Sequence, residues 1–308
     1  MSKIAPKIAF VSLEKPLPDL AQELGCSFEE FGFAVVERHG IDPDLIHRAE
    51  ATMRTFFALP DEVKRQYHRT GQAGARGYTP FGVEQAKGAL VQDLKEFWHV
   101  GRDLPPGHRF AHFMRPNVWP DELPEFRPLF QDLYLAFDWA GRRILSAIAL
   151  YLGEDELFFE DSVNDGNSVL RLLHYPPVGV APAGAIRAAA HEDINTITLL
   201  LGAEEAGLEL LTRDGYWLPV NPPPGALAVN VGDMLQRLTA GRLRSTTHRV
   251  VNPAGEAAQR ARYSMPFFLH FRPDFVIDPQ SFGTFAGGEE AITAQDFLMQ
   301  RLREIRLV

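Results

Sequence analysis

The run His191-Glu192-Asp193-Ile194-Asn195-Thr196-Ile197-Thr198-Leu199-Leu200 opens on two side chains able to bind a metal and continues as a β-like segment. In an extended chain, residues two apart project to the same side, so His191 and Asp193 can share one ion. An imidazole nitrogen with a carboxylate oxygen is a donor set suited to iron(II), and a second imidazole from another strand would complete one face of an octahedron. His248, in Ser245-Thr246-Thr247-His248-Arg249-Val250, is the best candidate for that third ligand. Three protein ligands on one face leave three positions open for a bidentate co-substrate and dioxygen. An H-x-D triplet alone is common, and in most chains it is a solvated pair or a strand-end cap.

The segments around this run share its rhythm. From Ser168 onward, short stretches of period two alternate with turn signals: Val169 to His174, Ile194 to Leu201, Leu208 to Thr212, Tyr216 to Val220, Ala226 to Val231, Thr246 to Val251 and Arg262 to Phe271. Asp214-Gly215 marks a hairpin, and Pro222-Pro223-Pro224-Gly225 breaks the chain between the next two stretches. So many short strands predict a sandwich or jelly roll. On the last of them Arg262 and Ser264 share a face. A guanidinium fork and a neighbouring hydroxyl suit a carboxylate and could hold a dicarboxylate whose other end chelates the metal. An arginine taken alone is more often one snorkelling at the edge of a sheet. Pro266 and Phe268 fall on that same face.

The first half has helical spacing. Leu20, Leu24, Phe28 and Phe31 form one stripe, which Gly32 ends before a strand at Phe33 to Val36. Asp42-Pro43 starts a helix carrying Leu45, Ile46, Ala49, Met53, Phe56 and Phe57. Thr70 to Gly88 reads as a long loop whose Arg76 and Tyr78 are candidates for one wall of a substrate pocket. Phe130, Leu133, Phe137, Ile144 and Ile148 predict a long helix between Asp121 and Gly153, a support for the second half. Thr293 and Asp296 predict a capped C-terminal helix. Cys26 falls in the first helix and reads as a packed thiol. His39, His47, His68, His99, His108, His112, His174 and His270 read as structural or solvated.

The 308 residues allow one large domain or a core with an extension. With 40 acidic against 31 basic residues and a net charge of -9, the chain lacks the electrostatic footprint of a nucleic-acid binder, so a small-molecule substrate is expected. A single cysteine excludes an internal disulfide. Neither a signal-peptide core nor an apolar run long enough for a membrane span is visible, which predicts a cytoplasmic protein without a membrane partner.

Several segments carry a family resemblance: HEDINTITLL, NVGDMLQRLTAGRLRSTTHRVVNP and ARYSMPFF in the second half, FGFAVVERHGIDPDLI, FFALPDEVK, RGYTP, LKEFWHVG and NVWPDELPEF in the first. Together they resemble the isopenicillin N synthase-like family of iron(II) and 2-oxoglutarate-dependent dioxygenases, from about Ile8 to Phe271. The resemblance implies a mainly β fold with flanking helices, built on a double-stranded β-helix (jelly roll) core with an N-terminal α/β extension. Expected boundaries are 1–120 for the N-terminal region, 121–165 for the support helix and connection, 166–275 for the core and 276–308 for the C-terminal helix.

It further implies that His191, Asp193 and His248 hold Fe(II), that Arg262 and Ser264 bind the distal carboxylate of 2-oxoglutarate, and that Tyr175 hydrogen-bonds it. Pro266 and Phe268 match positions that line the substrate pocket. The implied activity is oxidation of a small organic molecule, by hydroxylation, desaturation or ring closure, with dioxygen consumed, succinate and CO2 released, and ascorbate as an optional stimulant. Leu173 stands where many plant members have asparagine before that tyrosine, and the stretch from Asn252 to Gln259 is longer than usual. Two alternatives stay open on the residues alone: an iron oxidase of the same fold that does not use 2-oxoglutarate, and a metal-dependent cupin-like lyase or hydrolase, which would have no need of Arg262 and Ser264.

Overall fold

A computed structural model of the chain describes residues 7–69, 75–83, 95–177, 187–201, 207–253, 255–282 and 290–304. Only 75–83 of the glycine-rich 70–88 stretch fall among them.

The N-terminal region begins with strand β1 (Ala9–Ser12), helix α1 (Leu17–Glu30) and strand β2 (Phe33–Glu37). Leu20, Leu24 and Phe28 bury one stripe of α1. Cys26, expected to be packed, lies on the opposite side and is exposed, with Gln22 Nε2 3.0 Å from its sulfur. The one-turn spacing of Gln22 and Cys26 puts both on the solvent face, while the buried stripe runs through their neighbours. Helix α2 (Pro43–Phe57) starts where Asp42 accepts from the Asp44 amide with Pro43 at the first helical position. A short helix α3 (Asp61–Arg65) and strands β3 (Gly77–Thr79) and β4 (Glu96–Gly101) follow.

Helix α4 (Phe126–Leu152) is the support that the apolar stripe predicted, and Gly153 ends it in a left-handed conformation. After α5 (Glu160–Val163) come β5 (Val169–Tyr175), β6 (Ala188–His191), β7 (Ile197–Leu201), β8 (Leu208–Leu211), β9 (Trp217–Pro219), β10 (Leu227–Val231), α6 (Asp233–Leu238), β11 (His248–Val250) and β12 (Arg262–Leu269). A small ribbon of β13 (Val276–Ile277) and β14 (Ile292–Thr293) leads into α7 (Ala294–Glu304), where Thr293 Oγ1 accepts from the Asp296 amide and donates to the Asp296 carboxylate. Asp214-Gly215 turns between β8 and β9, which pair antiparallel.

Eight strands form one sheet in the order β1-β2-β10-β7-β12-β5-β4-β3, and four form a second in the order β6-β11-β8-β9. The large sheet joins strands of the N-terminal region to strands of the core. Its outer face carries Met265, Phe267, Leu269, Leu170, Leu172, Trp98 and Val100, packed on α4 in one apolar cluster. Phe137 stacks on Phe267 with ring centroids 5.5 Å apart and planes 5° from parallel. Its inner face meets the small sheet through Phe33, Val35, Ala228, Leu208, Leu210 and Val250. Two facing sheets, antiparallel except for the parallel β1–β2 edge, give the jelly-roll core, and helices cover the other side of the larger sheet.

Because α4 fills the outer face, truncating its centre should leave a void that neither sheet can close. Phe137→Ala is expected to cost about 3–5 kcal/mol, read as a lower midpoint in urea unfolding. An unchanged midpoint would mean that the helix is not bound to the sheet.

Candidate metal and co-substrate site

His191 ends β6 and His248 begins β11, and the two are direct cross-strand partners in the small sheet. Their rings lie 4.4 Å apart between centroids. Asp193 was expected to share a strand face with His191, but β6 stops at His191 and Asp193 lies in the turn before β7. That turn is held against the start of α6: the Asp233 amide donates to the Asp193 carbonyl at 2.7 Å. Gly232 allows the approach, since a Cβ there would sit 2.1 Å from the Asn195 carbonyl oxygen and 3.0 Å from that of Asp193.

The three side chains converge. His191 Nε2 lies 3.7 Å from Asp193 Oδ1, and His248 Nε2 lies 3.9 Å from Asp193 Oδ2. One ligand atom from each falls within 4.8 Å of the others. The outer nitrogens are committed to backbone: His191 Nδ1 donates to the Ala189 carbonyl at 2.8 Å and His248 Nδ1 to the Thr246 carbonyl at 3.0 Å. A carbonyl only accepts, so each neutral ring keeps its Nε2 lone pair for the centre of the cluster. Phe33 abuts His248 edge-on at 5.4 Å.

Asp193 is fixed by two side chains of the large sheet. Thr198 Oγ1 donates to Oδ2 at 2.6 Å and Asn230 Nδ2 donates to the same oxygen at 2.8 Å. Both restrain one oxygen and leave Oδ1 facing His191. Burial alone would raise this carboxyl group, but His248, His191 and the two hydrogen bonds hold it below the usual carboxylate range. Removal from water and the neighbouring His248 push His191 down to about 4, although 41% of its side chain stays accessible. His191 pushed down to about 4, Asp193 held ionised and two Nε2 atoms turned to the centre of the cluster make a donor set that fits a divalent ion.

Loss of the Asn230 donor should loosen the carboxylate without removing it. Asn230→Leu is expected to weaken iron or manganese binding by about 10–100-fold, read by titration calorimetry. Undiminished affinity would show that this contact does not orient Asp193.

A second polar centre lies further along the same inner face. Arg262 and Ser264 are both buried on β12, Arg262 opposite Tyr175 and Ser264 opposite Leu173. The Arg262 guanidinium carbon sits 5.4 Å from the centre of the Tyr175 ring. Odd positions 265 to 269 enter the α4 cluster, so Arg262, Ser264, Pro266 and Phe268 alternate to the inner side. The structure therefore brings the His191, Asp193 and His248 cluster and the Arg262, Ser264 and Tyr175 group onto facing inner surfaces.

Arg76 also belongs to the inner face, lying over Gly101 at the end of β4. Tyr78 does not join these residues. It pairs with Trp98, which faces the helices, and its hydroxyl donates to the buried Glu96, itself bound by Lys64 and His174. The next residue along a strand reverses its face, and this assigns Tyr78 to a helix-side packing and hydrogen-bond role.

The sequence reading did not single out Thr198, Asn230, Arg171, His99 or His270 as site residues. Arg171 lies beside Phe268, its guanidinium carbon 5.3 Å from that ring, and its Nε is 2.5 Å from His99 Nε2. His270 is buried beyond Phe268, donates Nδ1–H to the Phe268 carbonyl and is pushed by burial down to about 4. Polar residues inside buried strands, such as Thr198 in Ile197–Leu201 and Asn230 in Leu227–Val231, were the available signal, since a buried polar group needs a partner.

A jelly roll with two histidines and a carboxylate on one open-sided cluster defines a mononuclear non-haem metal enzyme. Residues 166–271 match the 2OG-Fe(II) oxygenase superfamily, and residues 6–122 match the non-haem dioxygenase in morphine synthesis N-terminal family. The chain belongs to the 2OG-Fe(II) oxygenases and is a 2-oxoglutarate- and iron(II)-dependent oxidoreductase acting on a small molecule with dioxygen.

The chain is 35% identical over 257 residues to a 2-oxoglutarate-Fe(II) type oxidoreductase of Aspergillus fumigatus, covering 80% of this chain and 75% of that protein. A Caulobacter crescentus protein placed in the 2OG-Fe(II) oxygenase family superposes with a TM-score of 0.89 at 55% identity, over 97% of this chain and 99% of that one. A full-length Neurospora crassa protein in complex with alpha-KG superposes with a TM-score of 0.84 at 28% identity, over 98% of each chain. Among the described residues, no helix is long and apolar enough to cross a membrane.

Proposed function

We propose that this protein hydroxylates a carbon of a small organic molecule, with His191, Asp193 and His248 as the iron ligands and with Arg262, Ser264 and Tyr175 receiving the distal carboxylate of 2-oxoglutarate. The single observation that carries this reading is the pairing of an open metal triad with a buried guanidinium and hydroxyl on the facing inner surface. A lyase or hydrolase would need the first and not the second. Substrate R–H, 2-oxoglutarate and dioxygen give R–OH, succinate and CO2.

Bound iron with 2-oxoglutarate would supply the oxidising chemistry. The chain's own contribution is orientation and exclusion of water. The two imidazoles and Asp193 hold three positions on one side. Arg262 offers its planar fork and Ser264 one hydroxyl to the far carboxylate, which orients the 2-oxo acid end toward the triad. Pro266 supplies apolar wall between the two centres, and Phe268 adds apolar surface in the row of Thr198, which holds Asp193; the reacting C–H bond is placed beside them.

The region 1–120 serves as a part of this enzyme that walls the pocket, and residues 121–165 support the 166–275 core, with 276–308 closing one end. Residence in the cytoplasm fits a chain with a single cysteine and a reduced metal. The test is succinate release by the purified protein with Fe(II), ascorbate, 2-oxoglutarate and oxygen. Succinate that depends on each of the metal, 2-oxoglutarate and oxygen is expected, and a product formed without 2-oxoglutarate would refute the assignment.

A further inference from the structure

Arg76 is a buried cation on the inner face whose charge pairs with no acid among the described residues. It is only 2% exposed, and its Nη1 donates to the adjacent Ala75 carbonyl at 2.6 Å, while Nε and Nη2 are buried without a hydrogen-bond acceptor among the described residues. Asp103, the carboxylate that acts on it from nearby, has both oxygens engaged, Oδ1 by Asn117 and Oδ2 by Gln131. Burial lowers the Arg76 pKa, as expected for a cation taken out of water without a counter-charge. An arginine stays protonated in a protein, so the cost of two unsatisfied donors on a buried cation is borne by the fold unless something fills them.

Its position says what that is. The guanidinium lies flat on Gly101, where a Cβ would fall 1.9 Å from its central carbon, so glycine at this point is what admits it. Across the inner face, Gly101 pairs with Val169, Val169 with Phe268 and Phe268 with Thr198, and Thr198 holds Asp193. Three strand spacings put Arg76 about 14 Å across the sheet from the anchor of the metal ligand. Arg262 is six residues from Phe268 along β12, roughly 20 Å down the strand and away from this row. The two arginines thus serve different places, one at the co-substrate end and one beyond Phe268. In the row between Arg76 and the triad lies Phe268, and the next even position along the chain is the buried His270, pushed down to about 4. Their surfaces suit the body of a small, largely apolar molecule.

We propose that Arg76 anchors a carboxylate of the molecule that is oxidised, so that the substrate is a small organic acid with an apolar body lying along Phe268 and its reacting carbon turned toward the triad. The inference rests on the oxygenase reading above and adds the substrate class to it. Nε and Nη2 form one edge of the guanidinium fork, the geometry that takes both oxygens of a carboxylate.

The test uses the full-length protein loaded with Mn(II) and 2-oxoglutarate, and titrates it with phenylacetate, 3-phenylpropionate and cinnamate and with their primary amides. Mn(II) keeps the site filled without turnover. At least one acid is expected to bind more than about tenfold tighter than its amide, since a charge-assisted contact to a guanidinium is stronger than a neutral one. Arg76→Met should erase the preference and Arg76→Lys should retain part of it, because a point charge replaces the fork. The titration of 2-oxoglutarate in the same samples separates the possible failures. Absence of metal-dependent 2-oxoglutarate binding in the wild-type protein would overturn the oxygenase reading itself. With that binding present, absence of any acid-over-amide preference, or a preference that survives Arg76→Met, would overturn the substrate class alone.

Discussion

Asp193→Ala is expected to bring succinate formation down to the level of the metal-free protein. The residue supplies the only carboxylate of the triad, and an imidazole brings no negative charge, so its removal leaves two nitrogen donors and no negative charge to hold a dication. Outer partners of a metal ligand are worth about 10–100-fold in affinity, so loss of the ligand itself should exceed about two orders of magnitude. Iron titration should show the loss directly. The same variant removes the shared acceptor of Thr198 and Asn230, and although Thr198 keeps its Asn195 partner, the buried Asn230 amide loses its acceptor, so the unfolding midpoint should also fall modestly. Asp193→Asn keeps the shape and those neighbours but not the charge. Turnover near wild type in either variant would show that the carboxylate is not a ligand.

Arg262→Leu should raise the 2-oxoglutarate requirement by roughly one to three orders of magnitude, since each charge-assisted hydrogen bond contributes about 1.5–3 kcal/mol. The effect should be confined to the co-substrate. Arg262 lies on the large sheet, whereas His191 and His248 lie on the small one, so iron affinity in the absence of 2-oxoglutarate should barely change. Ser264→Ala, which removes one neutral donor, should cost less, about 1 kcal/mol or under tenfold. The ordering of the two variants is as informative as either value. A folded Arg262→Leu protein with an unaltered 2-oxoglutarate dependence would mean that the distal carboxylate is bound elsewhere.

The core and the triad were legible in the sequence for physical reasons that also explain what was not. Strands β5, β7 to β10 and β12 alternate or are bounded by Pro and Gly, and their spacing predicted facing sheets. Strand β6 was missed because Ala188, Ala189 and Ala190 carry no hydrophobic rhythm, although their strand delivers His191. Strand β4 escaped a period-two reading because all six of its residues are buried, which erases the alternation. The face of Tyr78 depended on that strand: only the pairing of Tyr78 with Trp98 tells which side its ring takes.

The supports of Asp193 come from positions 5 and 37 residues away, so their convergence is a product of sheet order, with β7 and β10 side by side. Such contacts are fixed by topology and not by spacing along the chain. The same holds for Arg76, which local sequence placed in a loop and which reaches the inner face because β3 lies at the edge of the large sheet beside Gly101.

Anaerobic addition of Fe(II) and then 2-oxoglutarate to the metal-free protein, followed by visible absorption, addresses the central claim most directly. Chelation of iron by the 2-oxo acid on a site with three protein ligands should produce a charge-transfer band that saturates at a single iron per chain, appears only when both components are present, and is absent from the Asp193→Ala protein. A protein that binds iron without developing that band on addition of 2-oxoglutarate, or an Asp193→Ala variant that develops it undiminished, would contradict the account.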